Sequence, residues 1–252
     1  MLKAGFFLSR LAPALLAALL FQTAAFAAGP AQAAPLVLNT DGAPPHARPD
    51  GTGFEDRIVA EAFRRIGVPV KLVMLPSERC LQNANLGIDD GNYVRVAGLE
   101  KTYPNLIMVP EPVSEFVFTA FTRAPELKIS SWADLRQRQV AIVNGWKIVE
   151  RQLAGAPRLK TARDEEALFA LLDKGHAEVV VAGLHAGREI IRVRGYQGVR
   201  ALSPPLAVEP MHLYLNARHA ALVPKLSEAL RAMRRDGTLP RLTRAGLAGN
   251  AP

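Results

Sequence analysis

The chain has 252 residues, with 31 Lys and Arg against 23 Asp and Glu, for a formal charge of +8, and a single cysteine. One cysteine excludes an internal disulfide. The basic residues are scattered, with doublets only at Arg64-Arg65 and Arg234-Arg235, which argues for a surface biased toward acidic solutes rather than a nucleic-acid patch.

Residues 1–33 read as a cleaved secretory signal. Lys3 and Arg10 form a basic start, Leu11 to Phe21 is an apolar run too short to span a bilayer, and Ala25-Phe26-Ala27 and Ala31-Gln32-Ala33 are candidate cleavage sites. Removing this segment takes away Lys3 and Arg10 and lowers the charge from +8 to +6. A soluble, periplasmic mature protein is expected. Its length suits one large domain or two small ones.

Short apolar runs then alternate with helical patterns. Leu36 to Asn39 reads as a strand, and Phe54 to Ile66 as an amphipathic helix closed by Gly67. Val70 to Leu75 is a strand, a short helix starts at Glu78, and Phe116 to Phe121 is another strand. After Pro125 the rhythm restarts. Ser131 to Asp134 resembles a capped helix start, Gln139 to Val143 is a strand, and Ile148 to Leu153 is helical. Asp164 to Lys174 is a helix ended by Gly175, Glu178 to Ala182 and Met211 to Leu215 are strands, and Leu222 to Arg235 is a helix followed by Gly237. Such alternation predicts an α/β fold of mainly parallel sheets with helices on both faces. The restart near 122 and the Ser203-Pro204-Pro205 break suggest a second lobe, 122–205, inserted into a first lobe made of 34–121 and 206–252. A cleft would lie between them.

Candidate binding groups cluster around that cleft. Arg95 follows the Asp89-Asp90-Gly91 turn at an expected strand end, where open α/β sheets bind ligands. Its planar fork either grips a ligand carboxylate or pairs with Asp89, Asp90 or Glu100. Glu78 and Arg79 begin the short helix, and Arg79 either joins the same claw or pairs with Glu78. Asn39, Thr40 and Asp41 end the first strand, as binding groups or as turn formers. Asn144, Gly145 and Trp146 join a strand to a helix whose start attracts anions, with Trp146 stacking on a ligand or roofing the lobe. Thr161 precedes the next helix and is a similar, weaker site. The histidines lack metal-ligand spacing, so no metal and no cofactor is expected, and Cys80 reads as a buried thiol.

The segments TGFEDRIVAEAFRRIG, GLEKTYPNLIMVPEPV, SSWADLRQRQVAIVNGW, DEEALFALLDKGHAEVVVAG and RRDGTLPRL resemble, in order and spacing, the bacterial extracellular solute-binding proteins of family 3, the amino-acid-binding group with a type 2 periplasmic-binding fold. The resemblance implies two lobes that close on a small anionic or zwitterionic, amino-acid-like solute. It further implies a monomer that delivers the solute to an inner-membrane ABC-type transporter permease or a sensor. It also admits an enzyme of the same fold, similar to cyclohexadienyl dehydratase, using Glu78, Glu111 or His185 as acid or base. Members usually carry an Asp after the strand that matches Glu178–Ala182, to hold a ligand ammonium. Here the chain reads Ala182-Gly183-Leu184-His185, and Asp41 or Glu111 are the expected substitutes.

Overall fold

The structure, a computed structural model, describes residues 34–248, so the signal reading lies outside the described residues. In chain order the strands are β1 (Leu36–Thr40), β2 (Val70–Met74), β3 (Gly91–Arg95), β4 (Leu106–Met108), β5 (Ser114–Thr122), β6 (Val140–Val143), β7 (Leu159–Ala162), β8 (Val179–Gly183), β9 (Arg200–Ala201) and β10 (Ala207–Asn216). The helices are α1 (Phe54–Arg65), α2 (Ser77–Leu86), α3 (Trp132–Leu135), α4 (Lys147–Gln152), α5 (Glu165–Asp173), α6 (Leu184–Arg194), α7 (Val223–Arg235) and α8 (Thr238–Leu247), with a 3₁₀ turn at Ala217–Leu222. Among the described residues no helix is long and apolar enough to cross a membrane.

The sheet is mixed, in strand order β2-β1-β3-β10-β5-β8-β6-β7. Parallel pairs lie on either side: β1 pairs β2 and β3, and β6 pairs β7 and β8. The expectation of mainly parallel sheets holds for these flanks. Between them the pairing is antiparallel, because β5 and β10 run as long return strands. Ala207–Met211 of β10 pairs β5, whereas His212–Leu215 pairs β3. β5 in turn pairs β8 from Phe118 to Thr122. These two strands are the links between the halves.

The helical patterns bury as their spacing dictates. Phe54, Ile58, Val59, Ala62 and Phe63 of α1 are all buried, as are Leu226, Ala229, Leu230 and Met233 of α7. α1, α7 and α8 pack on one another, and Gly246 is required there because a Cβ would lie 2.3 Å from the Phe54 Cβ. On the other side Phe121, Phe169, Leu168, Leu172 and Ile190 form a separate core under α5 and α6. β3, β4, β7, β9 and α6 escape the periodicity reading. Most are too short to show a period, and α6 carries Gly187 and three arginines.

One buried carboxylate anchors α1. Asp56 Oδ2 accepts from the Gly53 and Arg48 amides at 3.0 and 2.8 Å, and Oδ1 accepts from the Tyr93 hydroxyl at 2.7 Å. The first bond is the reach of an N3 acid back to the N-cap amide. Burial raises the Asp56 carboxyl above its usual range, and these donors oppose that shift. Asp56→Ala removes three bonds to a charged acceptor and strands the buried Tyr93 hydroxyl, so urea unfolding should show a loss of about 3 kcal/mol. Asp56→Asn should lose less.

Candidate ligand-binding cleft

The carboxyl ends of β1 and β3 face the β6–α4 turn and the start of α5 across a cleft of about 550 Å³, counted out to its open mouth. Its charged lining is Asp41, Glu55, Arg95, Lys147 and Glu165, and its aromatic wall is Phe116, Phe118 and Trp146. The Trp146 ring stands edge-on to Phe116 and Phe118, with centroids 5.5 and 5.8 Å away.

Arg95 reaches the cleft through a bulge. Between the pairs Tyr214↔Asn92 and His212↔Arg95, β3 carries one more residue than β10. Val94 there has φ of 67°, a left-handed conformation unfavourable to a β-branched residue. Arg95 is 6% exposed. It donates from Nη1 to Ser77 Oγ at 2.7 Å, from Nη2 to Ser77 O at 3.1 Å and from Nε to Asn92 Oδ1, and pairs with Asp41 Oδ1 at 3.0 Å. Asp89, Asp90 and Glu100 are not its partners. Asp41 Oδ2 in turn accepts from Trp146 Nε1 at 2.9 Å, across the cleft.

Glu78 makes a second bridge across the cleft. Its Oε2 accepts from Lys147 Nζ at 2.7 Å and its Oε1 from the Tyr103 hydroxyl at 3.0 Å. Burial alone would raise the Glu78 carboxyl, but these donors hold it below its usual range, and the same contacts raise Lys147 against burial. Gly145 is needed between the bridges: its φ is +93°, and a Cβ would lie 2.7 Å from the Glu78 amide nitrogen and 2.8 Å from Ser77 Oγ. Its own amide donates to Glu150 Oε1 at 2.6 Å, so the helix start is capped by the protein's own acid.

The other expected residues separate into scaffold and surface. Asn39 is buried beneath the cleft, donating to Asp89 Oδ2 at 2.6 Å and Cys80 O at 3.1 Å while Asn92 donates to it at 2.7 Å. Thr40 is buried, and its hydroxyl bonds Tyr93 O and the Gly42 amide. Arg79 lies exposed on α2, and Asn144 and Thr161 are exposed; none of the three lines the cleft. Glu111 pairs with Arg234 at 2.9 Å, also away from the lining. Cys80 is buried, and burial pushes its thiol up to about 12.

The sequence reading missed the two most buried acids of the cleft lining, Glu55 and Glu165. Glu55 is fully buried in the first turn of α1, where the Pro45 and His46 carbonyls accept the Phe54 and Glu55 amides at 3.1 and 3.0 Å. Its Oε1 lies 3.0 Å from His46 Nδ1 and 2.6 Å from Ser114 Oγ, and its Oε2 has no hydrogen-bond partner. Glu165 begins α5 directly after the cap Asp164, whose Oδ1 accepts from the Ala167 amide at 2.7 Å. It is 5% exposed and accepts one bond, from the Gly183 amide at 3.0 Å. Burial pushes its carboxyl up to about 7, despite that amide and His46 nearby. Burial would lower the His46 imidazole, but Glu55 and, less strongly, Glu165 outweigh it and raise it. Acids in the first turn of a helix are ordinary dipole partners, so neither position stood out in the sequence.

No family model matches the chain, and no curated protein matches it. Solved structures do. A histidine kinase sensor domain with similarity to periplasmic binding proteins aligns at a TM-score of 0.76 and 18% identity, over 86% of this chain and 97% of that one. The GluR0 ligand-binding core in complex with L-glutamate aligns at 0.74 and 15%, over 85% and 99%. ArtJ, the arginine-, lysine- and histidine-binding protein of Geobacillus stearothermophilus, aligns at 0.72 and 15%, over 85% and 96%. At such identities the likeness is one of fold, and the chain has the two-lobe, type 2 periplasmic-binding-protein fold with a cleft between the lobes.

Proposed function

We propose that this chain is an exported periplasmic solute-binding protein, non-catalytic, that closes two lobes on a small amino-acid-sized solute. The lobes we propose shift the expected division, 34–121 with 206–252 and 122–205, so that Ser114–Thr122 and Ala207–Met211 go with the second lobe. The hinge falls at Val113/Ser114 and Met211/His212, where β10 passes from β5 to β3. β5 then moves with the second lobe. The observation that carries this reading is the pair of bridges across the cleft: Trp146 to Asp41 and Lys147 to Glu78 join the β6–α4 turn of one lobe to the β1 and α2 ends of the other. Both are polar contacts that an open form exchanges for water at little net cost, which suits a hinge.

The solute's apolar body lies against Phe116, Phe118 and Trp146, and its polar groups face the acids and Arg95. The carboxylate grip expected of Arg95 is reached by displacing Asp41, since three of its five N–H donors are hydrogen-bonded to Asn92 and Ser77 and the guanidinium is ion-paired to Asp41. Delivery to an ABC-type transporter is the primary reading. The histidine kinase sensor domain among the structural neighbours supports the second, a ligand-sensing input component. Glu78, Glu111 and His185, the acid–base candidates of a dehydratase, do not converge. Glu78 is held by Lys147 and Tyr103, Glu111 pairs with Arg234, and His185 lies outside the cleft lining.

A thermal-shift screen of amino acids, amines, carboxylates and short peptides tests solute capture. A compound at about 100 times its Kd should add roughly 2.7 kcal/mol of stability and reduce the radius of gyration. If no compound does either, the reading fails. Gly145→Ala forces a Cβ against Ser77 and Glu78 and should weaken a hit at least about tenfold, about 1.4 kcal/mol, by calorimetry, with the circular dichroism spectrum unchanged. Asp41→Asn leaves Arg95 without its anion. It should strengthen binding of a carboxylate probe by about tenfold, and unchanged or weaker binding removes Arg95 as the grip.

A further inference from the structure

The charges around the cleft do not balance, and the imbalance names a ligand chemistry. Both cations of the lining are spent on the protein itself: Arg95 on Asp41 and Ser77, Lys147 on Glu78 and Glu150. The two most buried acids of the lining are not matched in the same way. Glu55 shares its Oε1 with His46 and Ser114 and leaves Oε2 without a partner. Glu165, fully inside, takes a single amide bond, and no basic side chain is bonded to it. Arg163, its closest basic neighbour in sequence, turns to Asp164 at 2.9 Å instead.

We propose that the solute carries a protonated amine, received by Glu165 with Glu55 behind it, and that it needs no carboxylate. The inference rests on the solute-capture reading and gives its ligand class. A buried carboxylate without a counter-charge is costly, and an ammonium entering the cleft supplies both the charge and the N–H donors. The aromatic wall suits the same guest, since the ring faces of Phe116, Phe118 and Trp146 attract cations and cover an apolar body. An anion in the same place meets Asp41, Glu55 and Glu165 while Arg95 and Lys147 are already neutralised. The carboxylates sit on two lobes, Glu55 on α1 and Glu165 on α5, so an amine between them also ties the lobes together.

Protons compete for the same oxygens. Glu165 faces the Gly183 amide from β8, His46 from the loop after β1, Asp41 from the end of β1 and Asp164 from its own helix start; Glu55 of α1 stands beyond His46. Burial holds the empty carboxyl at about 7, so below that pH an incoming ammonium must expel a proton. Amine affinity should therefore fall by up to about tenfold per pH unit below about 7 and level off above it.

Calorimetry and thermal shift on the purified protein at pH 8 decide the matter with three probes of one body: phenethylamine, 3-phenylpropanoate and phenylalanine. An aliphatic set, isopentylamine, 4-methylpentanoate and leucine, is run beside it. Binding of at least one amine, with its matched carboxylate at least tenfold weaker, is the expected result. Glu165→Gln keeps the bond from Gly183 and should weaken the amine at least tenfold and flatten its pH profile; Glu55→Gln should weaken it less. The wild-type pH profile is an independent readout should either variant fail to fold. If neither amine binds, or the carboxylates bind as well as the amines, the inference is overturned. Carboxylate binding alone leaves solute capture standing, whereas silence from these probes and from the wider screen removes both. An amine whose affinity is flat from pH 5 to 8 overturns the role of Glu165.

Discussion

The cleft is organised around one buried ion pair. Arg95 ties β3 to α2 through Ser77 and to β1 through Asp41, and Asp41 extends the chain of bonds to Trp146 on the far side. A guanidinium this deep is tolerable because it is ion-paired to Asp41 and hydrogen-bonded to Ser77 and Asn92. Its position has a cost of its own. The bulge at Val94 and that residue's left-handed backbone turn Arg95 toward the cleft, in a region where strain is commonly stored beside functional groups. Asn92 beneath it accepts from Arg95 and donates to Asn39, which donates in turn to Asp89.

The second constraint is the path of β5 and β10. β10 pairs β3 in one half and β5 in the other, and β5 pairs β8, so the two flanking parallel sheets are joined by antiparallel strands rather than by packed helices. One buried cluster runs from Phe54 and Phe63 of α1 to Val140, Ile142 and Val179 of β6 and β8, and a second, with Phe121 and Phe169, lies under α5 and α6. What bridges the cleft is polar and local: Trp146 on Asp41, Lys147 on Glu78, and Gly145 allowing the approach.

Periodicity made much of the fold legible. The buried faces of α1 and α7, the strands at 36, 70, 116, 140 and 179, and the closing glycines at 67, 175 and 237 all follow from spacing and local stereochemistry. The shortest strands and α6 did not, because a period needs several repeats to show. Among the candidate site residues, Asp41, Arg95, Gly145 and Trp146 line the cleft, and Glu78 bridges it. Asn39 and Thr40 became scaffold, and Arg79, Asn144 and Thr161 became surface.

By itself, then, the sequence determined an α/β chain with a basic balance, two strand–helix series and an arginine near a strand end, since those depend on neighbours in the chain. Only the tertiary structure decided which charges are free to meet a solute. Arg95 and Asp41 are 54 positions apart, and Glu55 and Glu165 are 110 apart. Whether an ionised side chain is neutralised depends on which distant group folds against it and on how much water burial removes. Neither quantity is written in local spacing.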